Sequence, residues 1–500
     1  MSQVTEVVKI RRKVLSEIAR MAFEGSLKDN VEDILQTVVT ESGPRYRCCV
    51  HKERAVLKDR VNLALCQPIN TTLAVAAENA LNQEAADIPI ISVLPEACDQ
   101  CPIDKFMVTD ACRNCVAHHC INSCAKKAIM VVNNRAYIDQ SKCVECGLCK
   151  KSCPYCAIIE ISRPCERACD LEAINAGADR RAVIDYTKCV SCGACKTACP
   201  FGAISDRSII VQLIQLLKNS DKHIYAILAP AFIGQFGLKV KPGQVMKAVK
   251  ELGFYEVHEV SFGADITTIE ETKEFAASVP NERSFMTTSC CPAYVGMVEK
   301  HMPQMLEQVS STVSPMIATG RWIKNNDPDA VIVFVGPCIA KKAEADKYPE
   351  DIDYVLTFEE MTAMLVGAGI NVSEVEDDGY QTVASRDGNA FARAGGLVQA
   401  VVDAAAKMAP DAVVKPHRSE GLGNCKMALR QLKDGKIDAN FFEGMACYGG
   451  CVGGPGTLTD YRVTTRLVDN HANTAKVTAS PENGNAIDEI KKGESWHHGH

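Results

Sequence analysis

Apolar residues recur every three to four positions near the start of the chain. Val7, Ile10, Val14, Ile18 and Met21 share one helical face, and charged Lys13, Glu17, Arg20 and Glu24 interrupt the stretch. Residues 1–90 read as helical, with a basic stretch from Arg45 to Leu65 forming a solvated face. From about 223 to 457 the texture changes. Apolar runs at Ile224–Leu228, Val331–Val335 and Tyr354–Thr357 read as buried parallel strands, with helices at Gly243–Leu252, Glu359–Val366 and Leu397–Lys407 between them. That alternation predicts an α/β domain over 220–457. Residues 458–500 lose periodicity and read as a polar, frayed tail ending in Trp496-His497-His498-Gly499-His500.

Between these segments, residues 91–210 are set apart by cysteine. The 500-residue chain has 26 cysteines, and 17 of them lie from Cys98 to Cys199. The adjacent pair Cys48-Cys49 reads instead as two small buried hydrophobes. With 47% hydrophobic and 23% charged residues the chain can bury sizeable cores, and a net charge of −7 gives no reason to expect a nucleic-acid binder. No apolar run is long enough for a membrane helix. Arg11-Arg12 is not followed by an uncharged stretch, so an export signal is not expected. The expected compartment is the cytoplasm, where thiols stay reduced and dense cysteines imply metal.

The cysteine-rich region repeats. Cys-x3-Cys followed by Ala-Ile occurs at Cys120/Cys124, Cys149/Cys153, Cys165/Cys169 and Cys195/Cys199. Ile-Asp-x2-Lys-Cys precedes two of them, at Ile138–Cys143 and again 46 residues later at Ile184–Cys189. Cys143, Cys146, Cys149 and Cys153-Pro154, and likewise Cys189, Cys192, Cys195 and Cys199-Pro200, follow the iron–sulfur run C-x2-C-x2-C-x3-C-P. A single zinc ion uses paired knuckles, not three cysteines in tandem plus Cys-Pro. The region therefore looks like two bacterial-type ferredoxin units interleaved in one chain.

In such units the fourth cysteine of each run serves the other cluster. This predicts one [4Fe–4S] cluster on Cys143, Cys146, Cys149 and Cys199, and another on Cys189, Cys192, Cys195 and Cys153. Cys156 stands where the sister unit has Gly202 and is set aside as a non-ligand. Eight cysteines remain, enough for two more clusters. The same exchange gives Cys112, Cys115, Cys120 and Cys169 for one, and Cys98, Cys101, Cys124 and Cys165 for the other. His118 and His119 read as solvent-exposed turn residues.

The α/β domain carries three further cysteine motifs: Thr288-Ser289-Cys290-Cys291-Pro292-Ala293-Tyr294, Gly336-Pro337-Cys338-Ile339-Ala340-Lys341-Lys342, and Phe442-Glu443-Gly444-Met445-Ala446-Cys447-Tyr448-Gly449-Gly450-Cys451. They fall at predicted carboxyl ends of strands, where open α/β sheets bind ligands. Together they resemble the three signature motifs of [FeFe]-hydrogenases, over roughly 220–457. The first motif, ending in Ala-Tyr, is similar to that of a divergent monomeric branch.

The resemblance implies a catalytic domain of two lobes of parallel sheet flanked by helices, joined to a ferredoxin-like α+β region and an N-terminal helical region. It implies an H-cluster, a [4Fe–4S] cubane tied to a di-iron unit with CO, CN⁻ and a bridging dithiolate, and reversible 2H⁺ + 2e⁻ ⇌ H₂. Cys291, Cys338, Cys447 and Cys451 would hold the cubane, Cys451 also bridging to the di-iron unit. Cys290 would relay protons through Glu271, Ser310 and Glu274, Lys341 would hydrogen-bond a cyanide, and Met445, Ala229-Pro230-Ala231 and Phe391 would wall the pocket. Gly336, Ala231 and Pro455-Gly456-Thr457 depart from the better-known branch. About four accessory [4Fe–4S] clusters would carry electrons to ferredoxin or flavodoxin, and maturation enzymes would install the di-iron unit. The competing expectations are a non-catalytic iron–sulfur assembly protein or a redox sensor of the same fold, and a polyferredoxin fused to another reductase.

Overall fold

A computed structural model describes residues 4–498 apart from 100, 102–104, 180, 378 and 494. The α/β region forms two parallel sheets. In the larger, strands Glu256–Glu259, Ile224–Leu228, Val331–Gly336 and Tyr354–Thr357 lie in that order. In the smaller, Met286–Thr287, Phe441–Met445 and Pro416–Glu420 lie side by side. Ile224–Leu228 and Val331–Gly336 are buried along their whole length because helices cover both faces, which is why they read as unbroken apolar runs. All three signature motifs, and Ala229-Pro230-Ala231, leave the carboxyl ends of these strands.

The cysteine-rich region holds two ferredoxin-like units, one nested inside the other. In the outer unit Ile91–Val93 pairs antiparallel with Ile204–Asp206, around a hairpin of Ile174–Ala176 and Ala182–Ile184. The inner unit repeats the plan within residues 105–161: Phe106–Val108 pairs with Ile158–Glu160, around a hairpin of Ile129–Val132 and Arg135–Ile138. The recurring Ala-Ile has a physical cause. The Ala128, Ala173 and Ala203 N–H groups each donate to the Sγ four residues back, of Cys124, Cys169 and Cys199, at 3.3 Å. The isoleucines that follow, Ile129, Ile174 and Ile204, begin strands with their side chains in the core.

The N-terminal helix Glu6–Glu24 lies along Phe358–Gly367 of the α/β region. A Cβ at Gly367 would stand 2.6 Å from the Arg20 nitrogen, so the close crossing requires glycine. Val14, Ile18 and Met21 belong to the same core as the larger sheet.

Residues 458–500 differ from the expected tail. Helices Tyr461–Ala472 and Gly484–Lys491 pack on the α/β region, Trp496 is 2% exposed, and its carbonyl accepts from the Val313 N–H at 2.9 Å. His500 lies outside the described residues. Cys48 and Cys49 also differ from expectation: both are exposed, at the start of helix Val50–Ala64. No described helix is long and apolar enough to cross a membrane.

Candidate functional site

Each strand end delivers its cysteine through a short, constrained turn. Cys291 caps helix Pro292–His301, whose first residue is a proline that needs no N–H partner there. Cys338 stands just before helix Ala340–Lys347. The third loop holds Gly450 at φ 80°, where a Cβ would meet the Ala394 nitrogen at 2.6 Å, so only glycine fits.

The structure brings Cys291, Cys338, Cys447 and Cys451 together. Burial pushes the Cys338 and Cys451 thiols up to about 12, and the charges of neighbouring cysteines of this set add to the effect. Cys291 is also raised, first by burial, and Cys447 stands far above an ordinary thiol, raised by burial and by Cys338, Cys291 and Cys451. Four soft thiols converging in a dry interior cannot ionise together without a cation among them, and soft thiolates suit iron–sulfur iron. All four keep some accessible surface despite their depth, so there is free space beside them. The donor set fits a cluster held by four thiolates. Among the described residues no group of His, Cys, Asp or Glu is gathered as tightly as a single metal ion requires.

A line of polar groups leads away from the four thiols. Cys290 is buried, and its thiol is pushed well up, first by burial and then by the charge of Glu271. Glu271 is fully buried, its Oε1 accepts the Ser289 N–H at 3.2 Å, and the Ser310 hydroxyl stands within reach of its carboxylate. Burial, then repulsion from Glu274, raise its pKa to about 8. The Ser310 hydroxyl donates to Glu274 Oε2 at 2.6 Å, and Arg283 donates to Glu274 Oε1 at 2.8 Å. Burial raises the Glu274 pKa, but the bonds from Ser310, Ser311 and Arg283 outweigh it and hold it below the ordinary glutamate value. Arg283 carries no sequence signal, since it stands nine residues beyond Glu274 across a turn.

Lys341 is buried and donates to Glu344 Oε2 at 2.5 Å, to Ser314 Oγ at 2.8 Å and to the Cys290 carbonyl at 3.4 Å. Burial lowers its pKa, yet Glu344 more than compensates, so the ammonium is secure. Its charge in turn holds down Cys291, Cys338 and Cys451 against their burial. Met445 and Phe391 are buried in one cluster with Cys290 and Cys291, and Ala231 is fully buried. At Gly336, a side chain would meet the Phe334 ring at 2.5 Å; that ring fills the space. Glu443, which the sequence did not single out, accepts the Gly395 and Val398 N–H groups at 2.6 and 2.7 Å at the start of helix Gly396–Met408, tying the third loop to that helix.

The ferredoxin-like thiols group differently from the expected exchange. Each unit pairs within itself. Cys195 and Cys192 have Cys189 and Cys169 as charged neighbours, not Cys153. Cys165 neighbours Cys199 and Cys101, and Cys101 neighbours Cys199 and Cys98. In the inner unit Cys112, Cys115, Cys120 and Cys153 line one pocket with His118, which is half-buried rather than exposed. Cys149 neighbours Cys143 and Cys146. Cys124 borders that set: its neighbour Ser123 meets Ser152, on the helix that carries Cys149, at 2.8 Å. The physical reason is strand pairing. The pairing of Phe106–Val108 with Ile158–Glu160 closes the inner unit on itself, so Cys153 neighbours Cys120 rather than the run beginning at Cys189.

One of these groups reaches the four-thiol site. Cys192 lies near both Cys338 and Cys447. Gly193 beside it is so close to Ile339 and Pro455 that a Cβ would stand 2.9 and 2.8 Å from their side chains.

A ferredoxin-like region abutting an interior four-thiol site at the carboxyl ends of parallel strands defines an iron–sulfur protein. Residues 222–455 match the family model described as iron only hydrogenase large subunit, C-terminal domain, and residues 182–205 match a 4Fe-4S binding domain. The chain is 31% identical to iron hydrogenase 1 of Clostridium pasteurianum, over 51% of this chain and 53% of that one. It is 31% identical to the periplasmic [Fe] hydrogenase large subunit of Nitratidesulfovibrio vulgaris, over 66% of this chain and 89% of that one. A cytosolic iron-sulfur assembly component 3 of Rattus norvegicus aligns at 25%, over 48% of this chain and 63% of that one. A solved [FeFe]-hydrogenase HydA1 from Chlamydomonas reinhardtii aligns at 22% identity over 58% of this chain and 96% of that one, with a TM-score of 0.48. The chain spans about half the length of the Clostridium relative. It belongs to the iron-only hydrogenase family.

Proposed function

We propose that this protein is an [FeFe]-hydrogenase of the divergent monomeric branch, catalysing 2H⁺ + 2e⁻ ⇌ H₂. Cys291, Cys338, Cys447 and Cys451 would hold the cubane of an H-cluster, with Cys451 bridging to the di-iron unit. Bound there, the group would supply an open iron as Lewis acid and a bridging amine as base for splitting H₂. The protein's own share is to exclude water, fix the group and move protons. Lys341 offers a charge-assisted donor for an anionic ligand. Cys290 would pass protons to Glu271, whose pKa of about 8 lets it hold and release them near neutrality, and Ser310 and Glu274 would carry them outward. Met445, Phe391 and Ala231 would wall the pocket.

The observation that carries this reading is the line Cys290, Glu271, Ser310, Glu274, buried through Ser310 and reaching partial exposure at Glu274, which starts beside four convergent thiols. It has no purpose in a protein that only carries electrons. Infrared bands of iron-bound CO and CN⁻ in protein made with its maturation enzymes, together with H₂-dependent viologen reduction, are expected. Absence of both would overturn the proposal. The similarity to the iron-sulfur assembly component favours a second reading, an assembly role, and predicts iron–sulfur clusters with neither bands nor turnover. The cytoplasm is the proposed compartment, since so many unpaired thiols need a reducing one.

Four accessory [4Fe–4S] clusters are proposed, on Cys112/Cys115/Cys120/Cys153, Cys124/Cys143/Cys146/Cys149, Cys98/Cys101/Cys165/Cys199 and Cys169/Cys189/Cys192/Cys195. The last, beside Cys338, would deliver electrons to the active site, and ferredoxin or flavodoxin would supply or accept them. Cys153→Ser is expected to perturb only a cluster of the inner unit, leaving viologen-linked turnover within about twofold of the parent. Loss of the paramagnetic signal from the cluster at Cys189 would contradict this grouping.

A further inference from the structure

The inner ferredoxin-like unit has a surface unlike the rest of the molecule. Residues 105–161 carry eight lysines and arginines against four aspartates and glutamates, in a chain of net charge −7. Ten of the 24 exposed large hydrophobic side chains among the described residues lie there as well. Its strands and helices pack mainly on one another, so this surface is not covered by the rest of the chain.

The exposure centres on one group of thiols. Cys146 is exposed, and on its own loop and the helix that follows Val144 is 58% and Leu148 45% exposed. Lys142, Lys150 and Lys151 flank the Cys146 loop along the chain, and Lys126 and Lys127 follow Cys124, just beyond the helix that packs on the one carrying Cys149; all five are exposed. Lys142 pairs with Asp139 and Lys150 with Glu160. Lys126, Lys127 and Lys151 have no carboxylate partner among the described residues, and Glu145 is the one acidic residue on the Cys146 loop.

We propose that this face is where an acidic one-electron carrier protein docks, with Lys126, Lys127 and Lys151 steering it and Val144 and Leu148 forming the dry centre of contact. The inference rests on the electron-relay reading above, which makes the cluster at Cys124/Cys143/Cys146/Cys149 the outer end of the wire. Complementary charge supplies orientation and encounter rate, while the apolar centre excludes water between the two redox groups. A small dye needs neither and can exchange electrons elsewhere.

The test uses full-length matured protein and a reduced acidic ferredoxin, with methyl viologen as the second donor. The triple variant Lys126→Glu, Lys127→Glu, Lys151→Glu is expected to bind the ferredoxin about tenfold or more weakly at low salt and to lose ferredoxin-linked turnover in proportion, with viologen-linked turnover unchanged. Binding to the parent is expected to weaken as salt rises. The Lys→Gln triple variant, which adds no negative charge, must move in the same direction. Ferredoxin binding that ignores either salt or these substitutions overturns the proposal, as does equal loss with both donors. Binding is read without H₂ turnover, so failure of the hydrogenase reading alone would leave the salt and charge dependence intact.

Discussion

Glu271→Gln is expected to cut hydrogen turnover by about 10²- to 10⁴-fold, the usual contribution of a positioned proton-transfer group. The substitution is nearly isosteric, and the new amide oxygen can still accept the Ser289 N–H that Oε1 now receives at 3.2 Å. Packing around this fully buried side chain is therefore preserved. What disappears is the capacity to bind and release a proton. Iron content and the infrared bands should match the parent, and turnover within about threefold of it would remove Glu271 from the relay.

The pH dependence sharpens the case. Burial and Glu274 raise the Glu271 pKa to about 8, so the acid form prevails at neutral pH. Hydrogen evolution needs that acid form and should decline as pH rises through about 8. Hydrogen oxidation needs the carboxylate as acceptor and should rise over the same interval. The Gln variant should lose both inflections. Stability gives an independent sign. A carboxyl with a raised folded-state pKa contributes stability below its unfolded value, and that contribution is lost as pH climbs through the folded value. Glu271→Gln should therefore be no less stable than the parent above pH of about 8. A merely structural role would predict the reverse.

The convergence of the four thiols was legible in the sequence because three cysteine motifs each follow a strand that can be read from it or from its neighbours. Ile224–Leu228 and Val331–Gly336 announced themselves as apolar runs because both faces are covered. Edge strands Glu256–Glu259 and Pro416–Glu420 did not, since their half-exposed sequences EVHE and PHRSE lack such a run, and Met286–Thr287 is too short to show any period. The relay beyond Cys290 needed the fold. Glu271 and Glu274 look like surface charge until helix Ser261–Ser278 is seen to be almost wholly buried.

The cluster grouping failed for a topological reason. Counting along the chain pairs the run at Cys143 with the run at Cys189, but the inner unit closes on itself, by strands some fifty residues apart. The clue lay in Cys98-x2-Cys101 and Cys165-x3-Cys169, two halves of one ferredoxin motif separated by the whole inner unit. The C-terminal segment misled differently. Helix Tyr461–Ala472 buries only Thr464, Val468 and Ala472, a stripe too weakly apolar to stand out.

The other large effect concerns assembly rather than chemistry. Lys342→Met is expected to destabilise the protein by about 3–5 kcal/mol, the usual result of removing one partner from a buried charge network. Lys342 is buried and donates to Asp206 Oδ2 at 3.1 Å and to Glu360 Oε1 at 2.9 Å. Asp206 is shared with Lys196 at 2.5 Å, and Glu359 next door binds Arg11 at 2.8 Å and Arg12 at 3.1 Å. The network thus joins the N-terminal helix, the outer ferredoxin-like unit and the α/β region. Burial alone would raise the Asp206 pKa, but Lys196 and Lys342 hold it far below the ordinary aspartate value. An acid with a depressed folded-state pKa contributes stability that is present above its unfolded value and lost as pH falls through the folded one. The penalty of Lys342→Met, read by denaturant unfolding, should therefore be largest near neutrality and shrink in acid. The double variant Lys342→Met/Glu360→Gln should recover part of it, because one stranded charge is then gone. A penalty below about 1 kcal/mol at neutral pH would mean that the network does not bind the three parts together.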